Sequence, residues 1–406
     1  MKKRSFKFPV IIVFLLIAAV IGFFTVVKNH EWQEYPPIIT GPLVRGDTAG
    51  KSLIYYITEE NRARSISRGK RYSSFTEYFS VYQLAARDAA SGKLFKSVKI
   101  ISPGKKTEIK GIKILGPVEN GLWLWNQGPE LYHPETLEPI LSLEKIKIAN
   151  PEYVAVLPTE SDFFKVSGLH KSLIFKSLDA RFLRIDSFTG KINAADEALL
   201  EQVMWRKNAD DGFRYLPVTG IYLYYNHMEG NLINSFLTKN GIWHSLLSRK
   251  EKSALSKWSV RPGRPDTDGQ NYYFQAPFKM DDRNQPELNP SRLKQMNDTG
   301  FLQGGFIKRG VQSVWDVPAP SSSLVMSKNI LGQNGQWMLH RLGRDGNIIW
   351  STATGLIEMG QLADGGGHVI LTGFLTNQEP TRTRPQVIVW IDEKSGMRSE
   401  FSVSEQ

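Results

Sequence analysis

The chain has 406 residues, a formal net charge of +11 and no cysteine, so disulfides, thiol catalysis and thiolate metal sites are excluded. Five of the positive charges, Lys2, Lys3, Arg4, Lys7 and Lys28, flank one apolar run, which leaves +6 on the rest. That balance argues against nucleic acid as a partner.

The apolar run is the first element. Residues 1–8 form a basic tail, and Pro9 to Val27 contain no charged residue. At ~1.5 Å per residue, about 20 apolar positions match a ~30 Å hydrocarbon core, and backbone inside lipid must be helical. A transmembrane anchor is therefore expected over 9–28, with Trp32 and Tyr35 as interfacial aromatics. The basic tail keeps the N-terminus in the cytoplasm and sends the rest across. A cleaved signal peptide is the competing reading. It would have a shorter core and small residues at its cleavage site, and Phe23-Phe24-Thr25-Val26-Val27-Lys28 offers none. The expected address is a bacterial inner membrane, single-pass, with the C-terminal region in the periplasm or outside the cell. Absence of cysteine from an exported chain points the same way.

Residues 29–45 read as a linker, because Glu34 to Pro42 is rich in proline and lacks periodicity. From 46 to 406 the chain reads as all-β. Short runs of β-branched and aromatic residues recur, including Ser52–Ile57, Phe79–Leu84, Gly121–Trp125, Ile221–Tyr225, Val369–Phe374 and Val387–Ile391, with turn residues between them. Within the first of these regions, Arg62, Arg64, Arg68, Lys70 and Arg71 occur without an acid among Ser and Gly. This reads as a loop between strands, solvated or in contact with an anionic surface near the anchor.

One turn recurs. It is Asp88-Ala-Ala-Ser-Gly92-Lys, then Asp186-Ser-Phe-Thr-Gly190-Lys, then Asp392-Glu-Lys-Ser-Gly396-Met. Asp accepts from backbone amides two or three residues on, Ser or Thr supports the same loop, and Gly supplies positive φ. Looser relatives lie at His133–Glu138, Asn240-Gly241 and Asp345-Gly346. The turns fall near 90, 135, 188, 240, 344 and 394, in steps of 45–53 residues with one gap of twice that. Such a period with four short strands per unit predicts a β-propeller of about seven blades, with six or eight as alternatives.

The segment Leu84-Ala-Ala-Arg-Asp88-Ala-Ala-Ser-Gly92-Lys-Leu-Phe95 resembles the quinoprotein-type (PQQ-like, WD40-like) propeller repeat, in which an aromatic after the turn docks between blades. Phe95 and Trp350 stand at that aromatic position, and the Asp186 and Asp392 turns also match. The resemblance covers about half the blades and implies the scaffold only, because no quinone-binding or catalytic motif matches.

Two interruptions read as helices. Asn193 to Trp205 carries a candidate N-cap at Asn193, early acids, and an apolar stripe through Leu199, Leu200, Val203 and Met204. This places a helical insertion near 193–206. Leu288 to Met296 offers Asn289 as cap and Pro290 at the first position.

The chain carries little legible chemistry. Its seven histidines show no metal-ligand spacing, and His227 and His244 read as surface or packing residues. Asp266 to Asn271 starts like a calcium loop, but Pro277 stands where the bidentate Glu belongs, so a turn is expected. Asp281-Asp282-Arg283 reads as a surface cluster. Gly365-Gly366-Gly367 reads as a turn, since no Gly-Lys-Ser/Thr follows, and no Gly-x-Ser-x-Gly occurs. No catalytic or metal residue and no cofactor is expected, and the residues that would bind one are left open. The first functional reading is a non-enzymatic scaffold that binds a protein outside the cytoplasm. The alternative is an enzyme or sensor with a small ligand or redox cofactor in a central channel.

Overall fold

The computed structural model describes residues 33–404 except 49, 69–72, 101–110, 168–171, 196–212, 217–220, 225–231, 234, 238–240, 255–268, 281–285, 308–321 and 377–382. The fold is all-β and propeller-like, built from antiparallel sheets laid side by side.

The first sheet holds β1 (Gln33–Glu34), β2 (Ile38–Thr48), β3 (Lys51–Arg68), β4 (Ser73–Asp88) and β5 (Leu94–Lys99). The second is a meander of β6 (Lys113–Val118), β7 (Gly121–Trp125), β8 (Pro129–Tyr132) and β9 (Pro139–Leu141). The third repeats it with β10 (Phe164–Ser167), β11 (Ser172–Lys176), β12 (Phe182–Asp186) and β13 (Ile192–Ala194). The fourth is a continuous twelve-stranded sheet. It comprises β14 (Phe213–Leu216), β15 (Ile221–Tyr224), β16 (Leu232–Ile233), β17 (Ser235–Leu237), β18 (Ile242–Leu247), β19 (Gln270–Met280), β20 (Pro286–Leu288), β21 (Lys294–Gln295), β22 (Phe301–Ile307), β23 (Ser322–Lys328), β24 (Trp337–Gly343) and β25 (Ile348–Ala353). The fifth returns to four strands, β26 (Glu358–Asp364), β27 (His368–Phe374), β28 (Val387–Asp392) and β29 (Arg398–Ser402).

The leading strands stand beside one another: β2 beside β6, β6 beside β10, and β26 beside β2. The last sheet thus packs on the first. The sequence dictates this stacking, because successive side chains on a strand point to opposite faces. On β3, Leu53, Tyr55 and Ile57 pack toward the second sheet, while Ile54 and Tyr56 pack toward the fifth. On β7, Leu122 and Leu124 join the first sheet's side, and Trp123 and Trp125 join the third's. On β28, Ile388 and Trp390 face the first sheet, and Val389 and Ile391 face the fourth. Strands buried on both faces read as unbroken apolar runs. Each fully buried aliphatic or aromatic side chain contributes ~1.5–3 kcal/mol.

Four leading strands are bulged. The register shifts between Thr40 and Val44, Ile114 and Gly116, Leu302 and Gly305, and Met359 and Leu362. A glycine lies in or at each break: Gly41, Gly116, Gly304 and Gly360. An unpaired extra residue bends the strand, and glycine tolerates the conformation.

Several expectations need correction. Residues 38–45, expected as linker, belong to strand β2, and the bulge at Gly41-Pro42 broke the alternation that would have revealed it. Arg62, Arg64 and Arg68 do not lie in a loop but on β3 of a long hairpin, in which β3 pairs with β4 from Leu53↔Asp88 to Arg68↔Ser73. Asn193 lies in β13 rather than capping a helix, and 196–206 falls outside the described residues. Leu288 to Met296 holds a 3-10 turn, Pro290–Arg292, between two short strands; Asn289 does cap it, accepting from the Ser291 amide at 3.1 Å. The sheets number five among the described residues, so seven separate blades are not what the hydrogen bonding delineates. The anchor at 9–28 lies outside the described residues. Among the described residues, no helix is long and apolar enough to cross a membrane.

Candidate functional site: the turn face and the closing seam

The recurring turns share one geometry. Asp88 Oδ1 accepts from the Ser91 amide and hydroxyl, both at 2.7 Å. Asp186 accepts from the Thr189 amide and hydroxyl at 2.8 Å, and Asp392 from those of Ser395 at 2.6 Å. Gly92, Gly190 and Gly396 have φ of 70°, 69° and 75°. The Ser91 hydroxyl and amide hold the Asp88 carboxyl below its ordinary range, and Ser395 does the same for Asp392. At Asp186 burial opposes this, and the Thr189 amide and hydroxyl outweigh it. Each Asp is committed to its own loop.

The turn at His133–Glu138 has the same loop in other residues. His133 Nδ1 replaces the carboxylate and accepts from the Glu135 and Thr136 amides at 3.2 Å. Leu137, with φ of 57°, replaces the glycine while its side chain is buried. Sequence matching on Asp and Gly misses both. Gly365-Gly366-Gly367 is a turn as read, with φ of 71° and 107° at the last two.

The three Asp turns and the His133 turn each join the last two strands of their sheet, β4–β5, β8–β9, β12–β13 and β28–β29, and they share an end of the fold with the hairpins joining first strand to second, among them Gly365–Gly367 between β26 and β27. Asn120, between β6 and β7, donates to Ser187 O in the third sheet's turn at 2.7 Å. The Glu393 amide donates to Gly367 O at 2.9 Å. This end is the turn face. On it Phe188 is 63 % and Met397 74 % exposed, each inside one of the rigid loops.

The outer strand of one unit packs against the turn glycine of the next. Leu141 approaches the β-carbon position of Gly190 at 3.3 Å, and Trp350 that of Gly396 at 2.8 Å. Met296 covers Gly346, and Phe401 covers Gly92 across the seam between the fifth and first sheets. Trp350 Nε1 also donates to Glu393 O at 3.1 Å, so this aromatic docks as the repeat pattern implied. Phe95 does not. It is exposed, with the Lys51 ammonium 4.8 Å from its ring.

The seam has its own clasp. Arg87 is fully buried and donates to Tyr56 Oη at 2.8 Å, to Gly92 O at 3.0 Å and to Ser402 O at 3.0 Å. Trp390 Nε1 donates to Ala89 O at 2.9 Å, and the Ile39 amide to Gln386 Oε1 at 2.6 Å. Sequence reading passed over Arg87, because nothing in a strand's alternation marks a buried cation held by carbonyls.

Two histidines sit within the fourth sheet, His340 buried and His244 half-buried. His340 lies between Ser327 Oγ and Ser351 Oγ, each at 2.8 Å. His244 meets Tyr273 Oη at 2.7 Å and stacks on Phe236. Burial lowers both imidazoles to about 4 and raises the Tyr273 phenol to about 12. His244 is thus a packing residue, as expected; His227 lies outside the described residues.

The basic cluster is dispersed. Arg62 is engaged by Glu34 at 3.2 Å and Glu60 at 2.8 Å, so its charge ties β1 to β3. Arg64 follows on the same strand, Arg68 is placed only by its backbone, and Lys70 and Arg71 lie outside the described residues. So do Asp266, Asp268 and the Asp281-Asp282-Arg283 group. Among the described residues, no cluster of His, Asp and Glu could hold a metal ion.

No family model and no curated protein sequence matches the chain. Among solved structures, the WD40 domain of SCAP from fission yeast aligns at 10% identity and a TM-score of 0.28, covering 92% of this chain and 90% of that one. The tricorn protease aligns at 10% identity and a TM-score of 0.25, over 91% of this chain and 35% of its own. The fold assignment rests on the sheet topology.

Proposed function

We propose that this protein is a membrane-tethered, extracytoplasmic β-propeller that binds a protein partner in the cell envelope. The twelve-stranded sheet then counts as three units, which brings the total to about seven blades and fits the turn spacing. The tether reading is supported by the uncharged run from Pro9 to Val27, with four basic residues before it. It places the chain in a bacterial inner membrane with its N-terminus in the cytoplasm.

The observation that carries the binding role is the exposure of Phe188 and Met397 inside loops fixed by Asp186 and Asp392. Aromatic and methionine side chains are enriched at interface cores. A rigid loop presents them with little ordering entropy to lose on binding. A photoreactive side chain at position 188 or 397 is expected to capture one discrete protein in intact cells, and Phe188→Ser or Met397→Ser to reduce its recovery. Absence of any adduct from both positions would sink the reading. A reporter fused at the C-terminus is expected to be active only outside the cytoplasm.

A further inference from the structure

The end of the fold opposite the turn face has a different surface. It carries the hairpins that join second strand to third and the connections between sheets. Leu178 lies between β11 and β12, Ile330 and Leu331 between β23 and β24, and Leu375 between β27 and β28. These four are 61 %, 54 %, 45 % and 40 % exposed. The short helix α1 (Leu143–Ala149) leads from this end back to the turn face, where its capping residue Asn150 donates to Gly190 O at 2.8 Å and accepts from the Ile192 amide at 2.7 Å.

That these loops share an end follows from strand direction and from contacts. The Leu178 amide donates to Val156 O, in the connection after α1, at 2.9 Å. Lys113 at the start of β6 pairs with Asp162, just before β10, at 2.7 Å. Arg384, in the loop after Leu375, donates to Glu358 at the start of β26 at 2.9 Å. Lys328, which begins the Ile330 hairpin, also senses the charge of Glu358. Among the described residues, four of the ten exposed large hydrophobic side chains, Leu178, Ile330, Leu331 and Leu375, lie on these hairpins, whereas the two prominent ones on the turn face sit inside the Asp loops.

The chain enters the fold at this same end. β1 pairs with β3 at Gln33↔Ala63 and Glu34↔Arg62, beyond the part of β3 that packs against the other sheets. Four residues, and so five Cα–Cα steps, separate Lys28 from Gln33. At ~3.3–3.6 Å per residue they span at most ~18 Å. A strand of six residues is itself ~20 Å long. A bilayer holding Pro9–Val27 is therefore within reach of the β1 end, and the turn face points away from it.

We propose that this end of the fold lies on the outer surface of the bilayer, with Leu178, Ile330, Leu331 and Leu375 entering the interface. Apolar tips backed by cations are the composition of a surface that rests on anionic lipid without crossing it. Lys250 is exposed where the chain leaves β18 at this end, and Lys328 stands at the base of the Ile330 hairpin. The inference rests on the proposed tether and adds an orientation to it: one face held on lipid, the other free for the protein partner.

The absence of cysteine makes the test direct. The full chain is reconstituted in liposomes of phosphatidylethanolamine and phosphatidylglycerol, carrying one nitrobenzoxadiazole-labelled cysteine at a time and lipids with a nitroxide near the headgroup. Labels at Leu178→Cys, Leu331→Cys and Leu375→Cys are expected to emit to the blue and to be quenched. Labels at Phe188→Cys and Met397→Cys are expected to stay unquenched. A label at Val20→Cys, with the nitroxide deeper in the chain region, reports the tether itself. Quenching at Val20 without quenching at 178, 331 and 375 overturns the docking and leaves the tether intact. No quenching at Val20 overturns both. Labels at 178, 331 and 375 that shift in native membranes but not in liposomes overturn lipid as the occupant and point to a protein there.

Discussion

The ring of Phe401 occupies the space where a β-carbon on Gly92 would stand, although 309 positions separate the two residues in the chain. Gly92 also has φ of 70°, so a side chain there is opposed by both backbone and neighbour. Gly92→Ala is expected to destabilise the fold by about 2–5 kcal/mol, from ~1–2 for the left-handed backbone and ~1–3 for overpacking. Gly41→Ala, with φ of 77° and open space around it, isolates the backbone contribution. Equilibrium unfolding should rank the two in that order. In a double-mutant cycle, Phe401→Ala should relieve part of the Gly92→Ala penalty, and full additivity would refute the contact.

Arg87 joins both sides of the seam through neutral acceptors. Arg87→Met removes all three hydrogen bonds and leaves buried carbonyls poorly satisfied, so a loss of about 1–3 kcal/mol is expected. Trp390→Phe, which removes only the bond to Ala89 O, should cost about 1 kcal/mol. Hydrogen exchange provides the specific readout. Amides of β29 and β5 should lose protection in Arg87→Met before those of the second and third sheets do.

His244 and His340 make stability depend on pH. Both have folded values of about 4, below the ordinary 6.5, so between those limits the unfolded chain binds more protons. Their contribution is complete above pH ~6.5 and is lost as pH falls toward 4, by up to about 3 kcal/mol for each. Thermal melts from pH 7.5 to 4.5 should show a falling midpoint. His340→Gln, which keeps a polar group between Ser327 and Ser351, should flatten the dependence. An unchanged slope would show that His340 is not its source.

The His133 loop allows a substitution in each direction. His133→Asp supplies the carboxylate found in the other turns and is expected to stabilise by up to about 1 kcal/mol through charge-assisted bonds to the Glu135 and Thr136 amides. Leu137→Gly relieves the positive φ, worth ~1–2 kcal/mol, but removes a buried leucine, worth more than ~2. It should therefore destabilise. A stabilised Leu137→Gly variant would show that the backbone term outweighs packing at this site.

The sequence was most legible where a residue type has one structural use. Asp88, Asp186 and Asp392, each with its Ser or Thr and Gly, marked their turns because few other residues close that loop. The paired apolar faces of β3, β7 and β28 were visible for the same reason. Strand β2 was hidden, because its bulge at Gly41-Pro42 breaks the two-residue period. The long β3–β4 hairpin was hidden, because Arg62 and Arg64 alternate with small residues and derive their strand conformation from pairing across to Phe79 and Glu77. The turn at His133 was half legible: its position fitted the period, but His and Leu play parts usually given to Asp and Gly. Arg87 could not be read at all, since its partners Gly92 and Ser402 meet only when the sheets close. The two surfaces were equally silent, because an exposed leucine has no sequence signature until strand direction shows which end it occupies.

The seam between the first and fifth sheets also sets a timetable. Ile39 meets Gln386, and Arg87 meets Ser402, across separations of 347 and 315 residues. The apolar side chains of the first sheet that await the fifth, Ile54 and Tyr56 among them, stay uncovered until the fifth sheet has been made. Contacts so distant in sequence form late and slowly, and exposed strands in the interval invite aggregation. A stop codon within β26–β29 would therefore strip cover from a sheet synthesised about three hundred residues earlier.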